Sequence, residues 1–313
     1  MQTYSTEEPP ANATLPSSGV RSTLTFACTD SGSVVSLDYV SGRPATLVRV
    51  VIFTSAGGTF WVASTLGDNA RPDRLAVRSD VGGRQDMRLA AQAASFAGRG
   101  RIMASEAGVL PLQPVGLDVS LEAVSGALIL DMPADGPSSL TAVRVAGELT
   151  VGSVYHRISG LGWVVTGSAS AWGNAEPGCR VAAVFQDRSA VLVLGPTFGA
   201  DGAVAARRSF NAGLGAVPVH HLAVQDPDRT PLRVIRLALG GPDPADVYGE
   251  MRQREQFLEV VRPSGDNSQY LSWSAAPFVF VRSGITGLGL VDCQSRVPTP
   301  RRPTASPGLP DPY

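Results

Sequence analysis

Between Tyr155 and Gln186 the chain gathers side chains that can do chemistry: His156, Arg157, Trp163, Trp172, Asn174, Glu176, Arg180 and Gln186. Arginine stays protonated at neutral pH, so Arg180 can donate hydrogen bonds to a carbonyl or an oxyanion but cannot act as a base. Gln186 can donate more weakly. His156 can donate, or move a proton. Two of the four tryptophans, Trp163 and Trp172, stand in "SGLGWVVTGSASAWG", a run of small residues. That pattern fits a tight strand crossing or an aromatic wall with space beside it. Flat, polarizable walls suit a conjugated, apolar ligand. Trp61, Tyr270 and Trp273 are further candidates for such a wall.

These residues must be positioned by β-structure. Period-two alternation recurs along the chain. "GTFWVASTL" splits Phe60 and Val62 from Trp61 and Ala63. "GLDVSLEAV" puts Leu117, Val119, Leu121 and Ala123 on one face. "CRVAAVFQDRSAVLVLG" reads as a hairpin turning at Asp187–Ser189. In its first strand Arg180, Ala182, Val184 and Gln186 share one face, and Val181, Ala183 and Phe185 share the other. If the second set faces the core, Arg180 and Gln186 face solvent or an enclosed cavity. "HHLAVQDPDRTPLRVIRLAL" and "FLEVVRPSGDNSQYLSWS" read as further hairpins. "RQDMRLAAQAASFAG" fits a strand pair or a short helix. In "DPADVYGEMRQREQF", Asp243 as N-cap and Pro244 at the first position predict one or two helical turns.

The predicted fold class is all-β, a sandwich or barrel architecture in two units. The divisions expected are a tail over 1–18, a first β unit over 19–145, a second over 146–296, and a Pro-rich tail over 297–313. The junction is expected at "MPADGPSSL", Met132 to Leu140, or in the strand after it.

Absences narrow the chemistry. None of the 313 residues is lysine, so all 26 cations are arginine, and Schiff-base and Walker-lysine chemistry are excluded. There is no G-x-S-x-G, H-E-x-x-H, P-loop or G-x-G-x-x-G motif. Net charge is −1, which argues against nucleic acid as a partner. Cys28, Cys179 and Cys293 are too few and scattered for a zinc site or a disulfide framework. They read as buried thiols, with one disulfide left open. His220 and His221 read as surface or interface residues. No metal or organic cofactor is expected. No apolar run is long enough for a transmembrane helix, and the N-terminus lacks an apolar signal core, so a cytoplasmic location is expected.

The segment "HRISGLGWVVTGSASAWG", followed by "VAAVFQDRSAVLVLGPTF", resembles the second-domain opening of lipocalin-like proteins related to carotenoid hydratases. Within them it is most similar to the pericyclases, or Diels–Alderases, of polyketide biosynthesis. "FLEVVRPSGDNSQYLSWS" and "SGITGLGLVDC" resemble their closing strands. The resemblance runs from about Val154 to Cys293. Trp172 and Gly173 match by position, and "WVVTGSASA" stands where those proteins carry histidine and glutamate. The resemblance implies two β domains, an N-terminal β-sandwich followed by a lipocalin-like β-barrel, no cofactor, and a hydrophobic small-molecule substrate held near their junction. It implies a [4+2] cyclisation, Diels–Alder or hetero-Diels–Alder, driven by pre-folding the substrate in an aromatic cavity. Arg180, Gln186 and His156 are then the catalytic candidates; Trp163, Trp172, Tyr270, Trp273 and Trp61 are the binding candidates. The alternatives are a non-catalytic carrier, a hydratase or dehydratase using Glu176 or Asp187 as a buried acid, and a structural β protein. A homodimer is left open.

Overall fold

The structure, a computed structural model, describes residues 18–43, 45–55, 57–66, 75–79, 83–90, 92–103, 112–132, 136–168, 178–196, 203–209, 213–224, 234–241, 244–252, 257–261 and 270–297. Of the tails expected over 1–18 and 297–313, Ser18 and Val297 are strand ends and the rest lie outside these residues, as do Trp172, Asn174 and Glu176. The described residues are all-β, as the alternation predicts.

Eleven strands build the first sheet: β1 (Ser18–Cys28), β2 (Ser33–Arg43), β3 (Ala45–Thr54), β4 (Gly57–Leu66), β5 (Leu75–Ser79), β6 (Gly83–Ala90), β7 (Ala93–Met103), β8 (Leu112–Ala123), β9 (Leu128–Met132), β10 (Gly136–Val151) and β11 (Val154–Ser168). β1 lies between β2 and β11, so the first strand of the unit pairs with its last, and the ends of β4 and β7 pair as well. Pairing first to last places the first and last strands of the unit inside the sheet rather than at its edge. The second sheet repeats the device with β12 (Gly178–Phe185), β13 (Ala190–Pro196), β14 (Val204–Ser209), β15 (Gly213–Val217), β16 (Val219–Val224), β17 (Val234–Leu239), β18 (Ala245–Met251), β19 (Phe257–Val261), β20 (Tyr270–Arg282) and β21 (Ile285–Val297). Here β12 pairs with β21.

The first sheet ends at Ser168 and the second begins at Gly178, one strand further on than the junction expected at Met132 to Leu140 or in the strand after it. The reason is the ladder: β10 and β11 pair with each other over thirteen residue pairs, and β11 also pairs with β1. Both long strands therefore belong to the first sheet.

Three core layers follow from the alternation. Leu24, Phe26, Val35, Leu37, Val119 and their neighbours fill the first sheet's concave side. Val181, Ala183, Phe185, Phe278, Phe280 and Val291 fill the second's. The opposite faces meet in a third layer that includes Ala27, Val34, Phe53, Trp163, Ala182, Val184 and Leu290. β12 is therefore buried on both faces, which explains its nearly unbroken apolar run.

One expectation is corrected. In "DPADVYGEMRQREQF", where helical turns are expected, the described stretch Ala245–Met251 is strand: β18 buries Ala245, Val247 and Gly249 and exposes Asp246, Tyr248 and Glu250. The period is two, and the N-cap signal of Asp243–Pro244 is overridden by it. A Cβ on Gly249 would lie 2.6 Å from both Ile235 and Phe280, so a glycine is needed where the strand crosses the core. "RQDMRLAAQAASFAG" is the strand pair β6–β7, turning between Ala90 and Ala93.

Close approach also explains Gly289. A Cβ there would collide with the Ala182 carbonyl and the Ala183 backbone. Neither can yield without breaking the β12–β21 ladder. Gly289→Ala should destabilise the protein by about 1–3 kcal/mol, the usual cost of overpacking. Gly126→Ala meets nothing within 4 Å and should leave the denaturant midpoint nearly unchanged. Equal midpoints for the two variants would refute this account of Gly289.

Candidate functional site between the two sheets

Cross-strand register assembles a polar row on the outer face of the first sheet. Thr23 of β1 pairs with Asp38 of β2, and Asp38 with Arg49 of β3. One row along, Trp163 of β11 pairs with Thr25, and Thr25 with Ser36. Thr23 donates to Asp38 Oδ1 at 2.5 Å, and Thr25 and Ser36 share a hydrogen bond of 3.2 Å. All of these side chains are buried, in a layer that is otherwise apolar.

The second sheet supplies the complement. Arg180 of β12 stands opposite Asp292 of β21, and its Nε donates to Asp292 Oδ2 at 2.6 Å. Its other two nitrogens cross to the first sheet. Nη1 donates to Asp38 Oδ1 at 3.3 Å, and Nη2 to Ser36 Oγ at 3.1 Å. Arg21 adds a contact of 3.4 Å to the same Asp38 oxygen. Nearby, Arg252 donates to the backbone carbonyls of Gly32 and Thr54, a second bond between the sheets.

The charges are unequal in character. Burial opposes the charge on Arg180, but Asp292 and Asp38 more than reverse this, so its guanidinium is held more firmly than in free arginine. Burial would raise the Asp38 carboxyl, yet Arg180, Arg21 and the Thr23 hydroxyl hold it well below the usual carboxylate range. Asp292 goes the other way: burial raises it, and Arg180 only partly offsets that. Asp292 is thus the more readily protonated of the two acids. The cluster holds the Arg180 cation between a firm carboxylate and a softer one, where the two sheets meet.

The candidates of the sequence are placed as follows. Arg180 is 6 % exposed and its bonds are made within the protein. Trp163 is 1 % exposed, and its indole Nε1 has no hydrogen-bond partner. The seam beside it, lined by Thr25, Ala27, Val34, Ala182, Val184 and Leu290, has no space for a molecule the size of water. A Cβ on the preceding Gly162 would lie 2.5 Å from Phe26 Cβ and the Thr25 carbonyl. The small residues ahead of Trp163 therefore let β11 and β1 approach. His156 is half-buried beside the β10–β11 turn, and Gln186 is exposed in the β12–β13 turn. Trp61, Tyr270 and Trp273 lie on β4 and β20. Trp172 lies outside the described residues. Of the candidates whose side chains are described, Arg180 and Trp163 are buried in the layer between the sheets, and His156, beside a turn, and Gln186, in one, lie outside it.

Asp187, the acid proposed from sequence, is not a buried proton donor. The Ser189 hydroxyl and amide and Arg282 outweigh its partial burial and hold its carboxyl below the usual value. His220 and His221 are both exposed on β16, where a register irregularity between Val219 and His221 interrupts the alternation. Sequence reasoning missed Asp38, Asp292 and Ser36. The available signal was a lone acid within apolar alternation, in "VVSLDYV" and "GLGLVDC". Among the described residues no group of three or more His, Cys, Asp or Glu could hold a metal, and no helix is long and apolar enough to cross a membrane.

No family model and no curated protein sequence matches the chain. Its fold is similar to several solved structures. The protein assigned as AttH in Nitrosomonas europaea aligns with a TM-score of 0.55 and 13% identity, covering 89% of this chain and 93% of that one. Kievitone hydratase from Nectria haematococca aligns at 0.50 and 13%, covering 89% and 90%. CghA with Sch210972 aligns at 0.51 and 11%, covering 90% and 89%. At these identities the likeness is one of fold: the two-unit, lipocalin-like β architecture spans nearly the whole chain.

Proposed function

We propose that the chain is a cofactor-independent pericyclase, closing a hydrophobic polyketide- or terpenoid-derived substrate by a stereoselective [4+2] cyclisation. The observation that carries this reading is the Arg180 cluster, a charged donor set buried beside Trp163 where the two sheets meet. A cycloaddition needs no nucleophile. It needs a substrate held in one geometry and a donor aimed at the carbonyl that activates the dienophile. The fold shared with CghA and kievitone hydratase supports a small-molecule enzyme. In this reading the closed seam must part to admit substrate, and Arg180 and Ser36, which are bonded to each other in the closed state, become the polar end of the space that opens. Trp163, Trp61, Trp172, Tyr270 and Trp273 are its flat contacts, and His156 and Gln186 assist from the flanking turns.

One observation favours hydration or dehydration as a second reading. Asp292 is a buried acid with a raised proton affinity beside a fixed cation, which suits protonation of a leaving hydroxyl or of an enone.

Mass separates the two. The chain is incubated with a linear polyene bearing an activated alkene, and with an α,β-unsaturated ketone in isotopically heavy water. A cyclised product isobaric with its substrate is expected. A product differing by one water, labelled from solvent and lost in folded Asp292→Asn, establishes the second reading instead. Binding without any product, followed by tryptophan fluorescence, makes the chain a carrier.

A further inference from the structure

The ladder that closes the second sheet contains a second chemical feature. Cys179 of β12 stands directly opposite Cys293 of β21. Both are free thiols on the face that forms the second core, 6 % and 3 % exposed. Cys179 is the neighbour that most perturbs the Cys293 thiol. Directly opposed residues on antiparallel strands hold their Cβ atoms about 4.5–5.5 Å apart. A disulfide needs about 3.5–4.5 Å, so a small closing movement of the two strands suffices. Cys28 lies in the other core, next to Ser31 and the Ser159 backbone, where burial pushes its thiol up to about 12. It is not a competitor for either partner.

We propose that Cys179 and Cys293 are a modification site, a dithiol that a small disulfide of the glutathione class oxidises to a cross-strand disulfide joining the first and last strands of the second barrel. One cysteine thiolate attacks a sulfur of the small disulfide, whose S–S bond breaks and releases one small thiol. The second cysteine then attacks the first across the ladder and expels the other small thiol. Two protein S–H bonds are lost and one S–S bond forms; one small disulfide becomes two thiols. The exchange belongs to folding, when β21 docks on β12 and both sulfurs are still accessible. Once docked, the pair is sealed, which slows exchange in either direction.

The bond would have a consequence for the candidate site. Arg180 and Asp292 are the next residues of the same two strands and form the next pair of the same ladder. They project from the opposite face. A staple at Cys179–Cys293 fixes the register that brings Arg180 onto Asp292, whatever reaction the chain performs.

The test uses the full chain. Reduced, denatured protein is refolded in a buffer of reduced and oxidised glutathione, or in reductant alone. It is then denatured and alkylated, and its mass and peptides are analysed. The expected result after oxidative refolding is one alkylated cysteine, Cys28, and a crosslinked peptide joining Cys179 to Cys293. The crosslinked form should melt higher than the form refolded in reductant. That gap should vanish in the Cys179→Ala/Cys293→Ala variant. Three alkylated cysteines after oxidative refolding, or a crosslink containing Cys28, overturns the proposal. The wild-type chain alone gives both results, so the outcome does not depend on the variant folding.

Discussion

Arg180→Met should cost roughly 3–5 kcal/mol of stability, because it strands buried carboxylates that the guanidinium now pairs. For a chain of this size that lowers the melting temperature by on the order of 10 °C. Methionine fills much of the volume, so the loss is electrostatic more than steric. Arg180 contacts Asp292 at 2.6 Å and Asp38 at 3.3 Å, and both acids are buried. The control is the triple replacement Arg180→Met/Asp38→Asn/Asp292→Asn. Removing all three charges should recover much of the loss, since a buried ion cluster repays its desolvation only in part.

The same cluster fixes a pH dependence. Asp38 has its folded pKa depressed below the unfolded value of about 3.9. Its contribution is therefore present above that value and is lost as pH falls through it toward the folded pKa. Asp292 has the opposite sign: its raised pKa makes the folded state take up a proton before the unfolded chain does. In Arg180→Met both acids lose a cation, so both protonate more readily. The stability gap between wild type and Arg180→Met should thus be widest near neutral pH and narrow toward pH ~4. A gap unchanged over that range, measured by denaturant unfolding, would mean that packing and not charge holds the seam.

What was legible in sequence follows from period. Strands that alternate with a wet face, such as β8 and β17, announce themselves. In β12 the alternation separates Arg180 from the core set, but the face it stands on packs against the first sheet and is neither solvent nor an open cavity. What a single strand could not show was the occupant of the space opposite. Asp38 lies 142 residues from Arg180, and nothing local links them. The sheet boundary was hidden for a similar reason: that β11 pairs with β1 is a long-range fact, while "MPADGPSSL" looks like a linker locally. In β18 the helix signal was local and real, but a two-residue burial period across a packed sheet outweighs one N-cap. Around Trp163 the small residues carried two readings, and a sequence has no means of separating them. Gly162 shows one cause, the close approach of β11 to Phe26 and Thr25.

Trp163 should divide by substitution into a large effect and a small one. Trp163→Ala removes a side chain that is 1 % exposed and should cost about 3–5 kcal/mol, through lost transfer energy and the cavity left behind. Trp163→Phe should cost far less, within about 1 kcal/mol of wild type, because two terms oppose. The smaller ring forfeits some packing. It also removes an indole N–H that is buried without a partner, a group whose desolvation costs roughly 1–3 kcal/mol when unmet. The phenylalanine variant is therefore the instrument for function, since it stays folded while deleting one donor. If the indole N–H meets a substrate carbonyl when the seam is occupied, Trp163→Phe will keep its melting temperature and lose product formation and ligand affinity. If it retains both, the unpartnered nitrogen is a tolerated cost of filling the inter-sheet layer with the largest side chain available. Trp163 then leaves the list of substrate contacts, while the proposed cyclisation can still be carried by Trp172 and the β20 aromatics. A Trp163→Phe variant that unfolds as readily as Trp163→Ala would refute the offset argued here, and with it the premise that an unsatisfied N–H is a cost the folded state bears.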